Sequence, residues 1–191
     1  MRPPAECVTS SAVTTRRSIR NVALIGFMGS GKTTVGRALA ELLTFQFVDT
    51  DEVIESRAHK RIADIFEQDG EPAFRDLEAQ VVAELAGGHD QMISTGGGLP
   101  MIQSNLDSLK SHALVVCLWA SAEQIFERVK NQSHRPLLNT PDPMSQIREL
   151  LERRTPYYKQ ADVLVGTEGR PVREVAQQVA TQFHIARKAS S

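Results

Sequence analysis

A glycine-rich loop lies where a buried strand must pass into a helix, and this junction constrains the chain more than any other feature. Gly26-Phe27-Met28-Gly29-Ser30-Gly31-Lys32-Thr33 has the spacing Gly-x-x-x-x-Gly-Lys-[Ser/Thr]. The apolar run 22–25 before it reads as a strand, and residues 34–43 after it read as a helix. Strand, loop and helix in that order form the setting in which backbone N–H groups surround a polyphosphate. The positive end of the helix adds to the attraction. Lys32 brings a mobile charge to the outer phosphates, and the Thr33 hydroxyl is a ligand for Mg²⁺. The pattern implies ATP or GTP. A chance glycine-rich turn would not need both the spacing and the flanking elements.

The rest of the chain alternates short apolar runs with helix-period segments. Residues 45–48, 92–94, 113–119 and 163–165 read as further strands. Helices are expected over 50–57, from 62, over 72–85, 101–109, 121–130, 144–158 with an interruption near Pro156, and 171–185. This alternation predicts an α/β fold with a parallel sheet covered on both faces. Ligands on such sheets sit beyond the carboxyl ends of the strands. The loops after Ile25, Val48, Ser94 and Trp119 therefore gather into one cleft. The polar, proline-bearing stretch 131–143 reads as a mobile lid.

A length of 191 residues suggests one domain, drawn here as 21–186, with a disordered extension over 1–20 and a short tail over 187–191. A short targeting peptide is the alternative for the extension, weakened by Glu6 and two prolines. Lys and Arg total 22 against 23 Asp and Glu, which argues against a broad nucleic-acid face. Cys7 and Cys117 form no disulfide or metal framework, so a reducing, cytoplasmic setting is expected. The longest apolar run is too short to cross a bilayer.

Among the strand ends, only that at Asp49 is acidic. Asp49 is thus the candidate Mg²⁺-side carboxylate, with plain helix capping as the other reading. Asp51, two residues on, is placed to accept a hydrogen bond from a substrate hydroxyl and orient or deprotonate it. A first-turn acid facing the helix dipole is its alternative. Arg75 and Glu78 share a helix face. Spacing alone favours a solvated pair of little energetic weight. The sharper reading has Glu78 holding the Arg75 fork for a substrate carboxylate. Gly96-Gly97-Gly98 permits close backbone approach, and its N–H groups suit substrate oxygens, unless it is only a flexible turn. Arg135, in the lid, suits charge developing on a transferred phosphoryl group, a surface linker arginine being the alternative. His59, His89, His112 and His184 show no ligand spacing.

With these residues in order, the chain resembles the shikimate kinases over about residues 20–185. Beyond the phosphate loop, Phe47-Val48-Asp49-Thr50-Asp51 with Ile54-Glu55 is similar to the family's Asp-[Ser/Thr]-Asp signature. Ile62-Ala63-Asp64-Ile65-Phe66, Gly70-Glu71, Phe74-Arg75 and Glu78 resemble its acceptor-binding region. Thr95-Gly96-Gly97-Gly98, Arg135-Pro136-Leu137, and Arg154 with Tyr158 match its remaining motifs. The resemblance implies a P-loop kinase sandwich of three α/β/α layers, with five parallel strands ordered 2-3-1-4-5. It implies ATP-dependent phosphorylation of the shikimate 3-hydroxyl with Mg²⁺, in the route to aromatic amino acids, by a monomer. Lys32, Asp51 and Arg135 would be catalytic. Gly29, Ser30, Gly31, Lys32, Thr33 and Thr34 would wrap the phosphates. Arg128, Arg135, Arg170 and Pro171 would complete the ATP site. Asp51, Arg75, Gly97, Gly98 and Arg154 would contact shikimate, and Thr33 and Asp49 would serve the metal. The sequence departs from the pattern at Leu99-Pro100 and at His59-Lys60, where a glycine-containing turn is usual. A kinase for gluconate or a nucleoside monophosphate, and a silent nucleotide-binding module, are the competing readings. Nucleotide acceptors leave Arg75, Arg154 and the double aspartate unexplained, and intact Lys32, Asp49, Asp51 and Arg135 oppose decay.

Overall fold

Strand β1 (Asn21–Ile25) is completely buried, and its alternate side chains enter two separate cores. Ala23 and Ile25 face one core, and Val22 and Leu24 the other. A strand apolar at every position needs cover on both faces, and this is the origin of the three-layer architecture. The computed structural model describes residues 17–130 and 141–190.

Five parallel strands form the sheet: β1, β2 (Gln46–Asp49), β3 (Gln91–Ser94), β4 (Ala113–Trp119) and β5 (Val163–Gly166). Their order is β2-β3-β1-β4-β5, as expected. Register pairs Leu24 with Ser94 and with Val116, and Asp49 with Ser94, so the carboxyl ends lie close to level. Helices α1 (Lys32–Leu43) and α8 (Val172–Ser190) cover one face, where Leu39, Val179 and Phe183 are buried against Leu24 and Val116. The other face receives α2 (Thr50–Ala58), α3 (Ile62–Gln68), α4 (Gly70–Leu85), α5 (Gln103–His112), α6 (Ala122–Val129) and α7 (Pro143–Tyr158). Cys117 is buried in this layer, as its apolar surroundings in the sequence imply.

Several boundaries differ from the sequence reading. Helix α4 starts at Gly70, which leaves Pro72 in its first turn, where proline is tolerated and where the sequence allows it. Helix α7 passes through Pro156 without interruption. The residue lies in the last turn, so its missing N–H removes a single helical bond, the one to the Glu152 carbonyl, and the Thr155 hydroxyl beside it donates to the Leu151 carbonyl. Helix α8 continues to Ser190, so residues 187–190 are helical rather than a tail. Packing also begins before residue 21. Arg17 pairs with Asp162 and donates to the Ala113 carbonyl, and Arg20 donates to the carbonyls of Gly88 and Ala86. His59 ends α2 in the left-handed region at φ 51, a conformation that favours glycine. No helix among the described residues is long and apolar enough to cross a membrane.

Candidate active site

The carboxyl ends of β1, β2 and β3 open into two adjoining hollows. One, of about 490 Å³, is lined by the glycine-rich loop and the start of α1, with Asp49, Asp51, Thr95 and Gly97 opposite. The loop bends through positive φ at Gly26, Gly29 and Gly31, and a Cβ on Gly26 would lie 2.5 Å from the Leu118 carbonyl oxygen. No side chain bearing oxygen caps the α1 N-terminus and no acid occupies its first turn. Its positive end therefore remains available to an anion. Lys32 Nζ reaches back to the carbonyls of Gly26 and Phe27, at 2.9 and 3.1 Å, which holds the ammonium over the loop.

Asp49 caps a helix with one oxygen and faces the phosphate loop with the other. One carboxylate oxygen caps α2 by accepting the Asp51 N–H at 3.1 Å, and the other accepts the Thr33 hydroxyl at 3.3 Å. Two hard oxygen donors thus meet at the loop mouth. That set fits Mg²⁺, which keeps several waters and takes phosphate oxygens alongside one or two protein groups.

The second hollow, about 950 Å³, lies under α2, α3, α4 and α7. It shares Met28, Asp51 and Gly97 with the first. Arg75 and Arg154 both enter it beside the triple glycine. A Cβ on Gly98 would stand 3.3 Å from both terminal nitrogens of Arg75, and one on Gly97 would stand 3.6 Å from Arg154 Nη1. None of these three glycines has positive φ, so they are small for reasons of space. Gly96 is the tightest, with its Cβ position 2.6 Å from Asp51 Oδ1.

Arg75 and Glu78 are not the solvated pair that spacing favoured. Glu78 is 1% exposed, and its carboxylate accepts from Arg75 Nη1 at 3.0 Å and from Asn105 Nδ2 at 3.4 Å. Burial pushes the Glu78 carboxyl up from its ordinary range, the Arg75 guanidinium pulls against that, and Asp51 and Glu71 add repulsion. The exposed Glu71 carboxylate accepts from Nε and Nη2 of the same arginine. A fork gripped on two sides is held in one orientation and keeps one N–H on each terminal nitrogen for a ligand.

The same chain region matches the family model described as shikimate kinase, over residues 28–184. The chain belongs to the shikimate kinase family. A shikimate kinase of Thermodesulfovibrio yellowstonii is 42% identical over 165 residues, covering 86% of this chain and 95% of the relative. One from Persephonella marina is 42% identical over 161 residues, covering 84% and 97%. The solved shikimate kinase from Acinetobacter baumannii in complex with shikimate superposes with a TM-score of 0.82 at 36% identity, covering 88% of this chain and 95% of that one. A gluconokinase from Sinorhizobium meliloti, at 19% identity and a TM-score of 0.59, shares the fold alone.

Within this shikimate kinase family member, the expected adenine-side residues are partly rearranged. Arg128 and Arg170 line the first hollow. Arg128 donates to the carbonyls of Gly29 and Thr167 and to the Thr167 hydroxyl. Arg170 is held by Glu174, Gln178 and the Gly166 carbonyl. Pro171 is not part of the wall; Val172 and Val175 occupy it instead, one and four residues further on. Val172 is 40% exposed and Val175 is buried. Sequence reading missed Thr167, Val172 and Val175, and only their position just after the fifth strand could have pointed to them. Arg135 and residues 131–140 of the expected lid lie outside the described residues, and Pro143 at its far end already opens α7.

Proposed function

We propose that the two hollows bind ATP and shikimate, and that the γ-phosphoryl group passes between them to the shikimate 3-hydroxyl, giving shikimate 3-phosphate and ADP. The chain is a kinase by its family membership. The residue roles are our reading of the site. The observation that carries it is the position of Asp51, which lines both hollows at their shared boundary. A carboxylate there accepts the hydroxyl's hydrogen bond and aims its oxygen at the phosphoryl group.

On the nucleotide side, Gly29 to Thr34 and Lys32 receive the phosphates. Arg128 and Arg170, with Val172 and Val175, flank the base. Mg²⁺, held by Thr33 and through water by Asp49, would neutralise phosphate charge when bound. On the acceptor side, Arg75 and Arg154 clamp the carboxylate while Gly97 and Gly98 offer N–H groups. Arg135 is kept as the lid arginine that meets charge developing on the phosphoryl group. The same reading makes the protein a cytoplasmic monomer without a nucleic-acid or membrane partner.

A coupled assay of ADP release over shikimate, gluconate and nucleoside monophosphates tests this. Turnover with shikimate alone is expected. Turnover with gluconate or a monophosphate and none with shikimate overturns it.

A further inference from the structure

Every carbonyl of the triple glycine already has a donor. Gly96 O accepts from Leu99 N at 3.2 Å, and Gly98 O from Met101 N at 3.1 Å. Gly97 O accepts from the Tyr158 hydroxyl at 2.9 Å and from Arg154 Nη1 at 3.4 Å. Of the three amides, Gly96 N donates to Thr50 Oγ1 at 3.1 Å. Among the described residues no protein acceptor takes the N–H of Gly97 or Gly98. The loop therefore presents a strip of two uncommitted donors, with its carbonyls already engaged by the protein, beside the second hollow, which both glycines line.

Peptide geometry says which groups set that strip. In a trans peptide the N–H points opposite to the C=O of the preceding residue. Bonding Gly96 O to the following turn fixes the direction of the Gly97 N–H. Bonding Gly97 O to Tyr158 fixes the direction of the Gly98 N–H. Thr50 anchors the peptide before both. Three glycines in a row have the greatest backbone freedom to lose, so without anchors the strip would not hold one orientation. Tyr158 and Thr50 are both fully buried, at 0% exposure. Burial pushes the Tyr158 phenol up to about 12, which keeps its proton in place for donation.

We infer that Tyr158 and Thr50 are positioning residues for acceptor recognition: together they orient the Gly97 and Gly98 N–H groups as a paired donor for oxygens of a hydroxylated carboxylic acid. Neither side chain touches the acceptor in this account. Thr50 also ties the strip to α2, which carries Asp51, so the donor pair and the hydroxyl-orienting carboxylate share one support. The inference rests on the functional reading above and adds to it the groups that shape the acceptor wall.

The test is steady-state kinetics on the full chain for Tyr158→Phe, Thr50→Val and Thr50→Ser, with thermal unfolding alongside. Tyr158→Phe and Thr50→Val each raise the KM for shikimate about tenfold, the size of one net hydrogen bond, and leave the KM for ATP at the parent value. Thr50→Ser keeps the hydroxyl and restores the parent shikimate KM. If Tyr158→Phe fails to fold, the Thr50 pair decides alone. The inference is overturned if the shikimate KM is unchanged in the folded variants, if both KM values rise together, or if Thr50→Ser behaves like Thr50→Val. A parent that does not phosphorylate shikimate defeats the functional reading and this inference with it. An active parent with unaffected variants defeats only this inference.

Discussion

Adding one methyl group at Gly96 should disable catalysis while sparing nucleotide binding. A Cβ there would lie 2.6 Å from Asp51 Oδ1, far inside the 3.4 Å at which ordinary contact begins. The carboxylate would have to retreat by about 0.8 Å, the difference between those distances. The loop cannot yield instead, because Gly96 N is bonded to Thr50, the neighbour of Asp51 on the same helix. Gly96 is not at positive φ, so alanine adds no backbone strain. A displacement near 1 Å of a group that orients a reacting atom can cost about 10²-fold in rate. That corresponds to about 2.7 kcal/mol of lost transition-state stabilisation. For Gly96→Ala, kcat should fall by about two orders of magnitude, with the KM for ATP unchanged and the protein still folded by circular dichroism. Gly97→Ala is the internal comparison, since its Cβ would meet nothing closer than 3.6 Å. A Gly96→Ala enzyme whose kcat stays within about threefold of the parent would refute the reasoning.

Arg75→Ala should weaken shikimate binding by about 2–5 kcal/mol and spare ATP, because it leaves a largely desolvated carboxylate unmatched. Calorimetric titration showing parent-like shikimate affinity would count against the clamp. Asp51→Asn should lower turnover far more than ATP affinity, and equal activity in the two proteins would remove Asp51 from the mechanism. His112 gives an acid limit to stability. It is buried, its Nδ1 accepts from Asn21 Nδ2 at 2.8 Å, and burial, with Arg20 and Arg17 nearby, lowers its pKa from 6.5 to about 4. The unfolded state therefore binds a proton that the folded state refuses. Stability from this group is complete above pH 6.5 and is lost as pH falls towards about 4, by about 3 kcal/mol in all. Urea unfolding between those pH values checks it, and a His112→Gln protein should lose that part of the slope.

The sheet was legible because its strands are short apolar runs bounded by glycine and acid, and because the loop at Gly26–Lys32 could only follow a strand and open a helix. Asp49, Asp51 and the glycines were legible for the same reason: each lies at or within a few residues after a strand's carboxyl end, and those ends share one edge of an α/β sheet. Glu78 was not. Its spacing from Arg75 is the same whether the helix face meets solvent or the core, and only packing against Asn105 shows that the carboxylate is buried. Pro156 misled because propensity penalises a helix interior without knowing that two residues remain. Val172 and Val175 carry no local signal that separates them from the rest of the last helix, and only the folded chain brings them to the first hollow. The cap and metal-side readings of Asp49 could not be separated in sequence because they do not exclude each other: one oxygen caps α2, and the other faces the Thr33 hydroxyl.

A crystal structure of this chain with shikimate and a non-hydrolysable ATP analogue tests the central claim most directly. The account predicts the shikimate carboxylate between Arg75 and Arg154, its 3-hydroxyl against Asp51, and the terminal phosphate over Lys32 on the other side of Asp51. Shikimate bound with its carboxylate away from both arginines, or its 3-hydroxyl turned from Asp51, would contradict it.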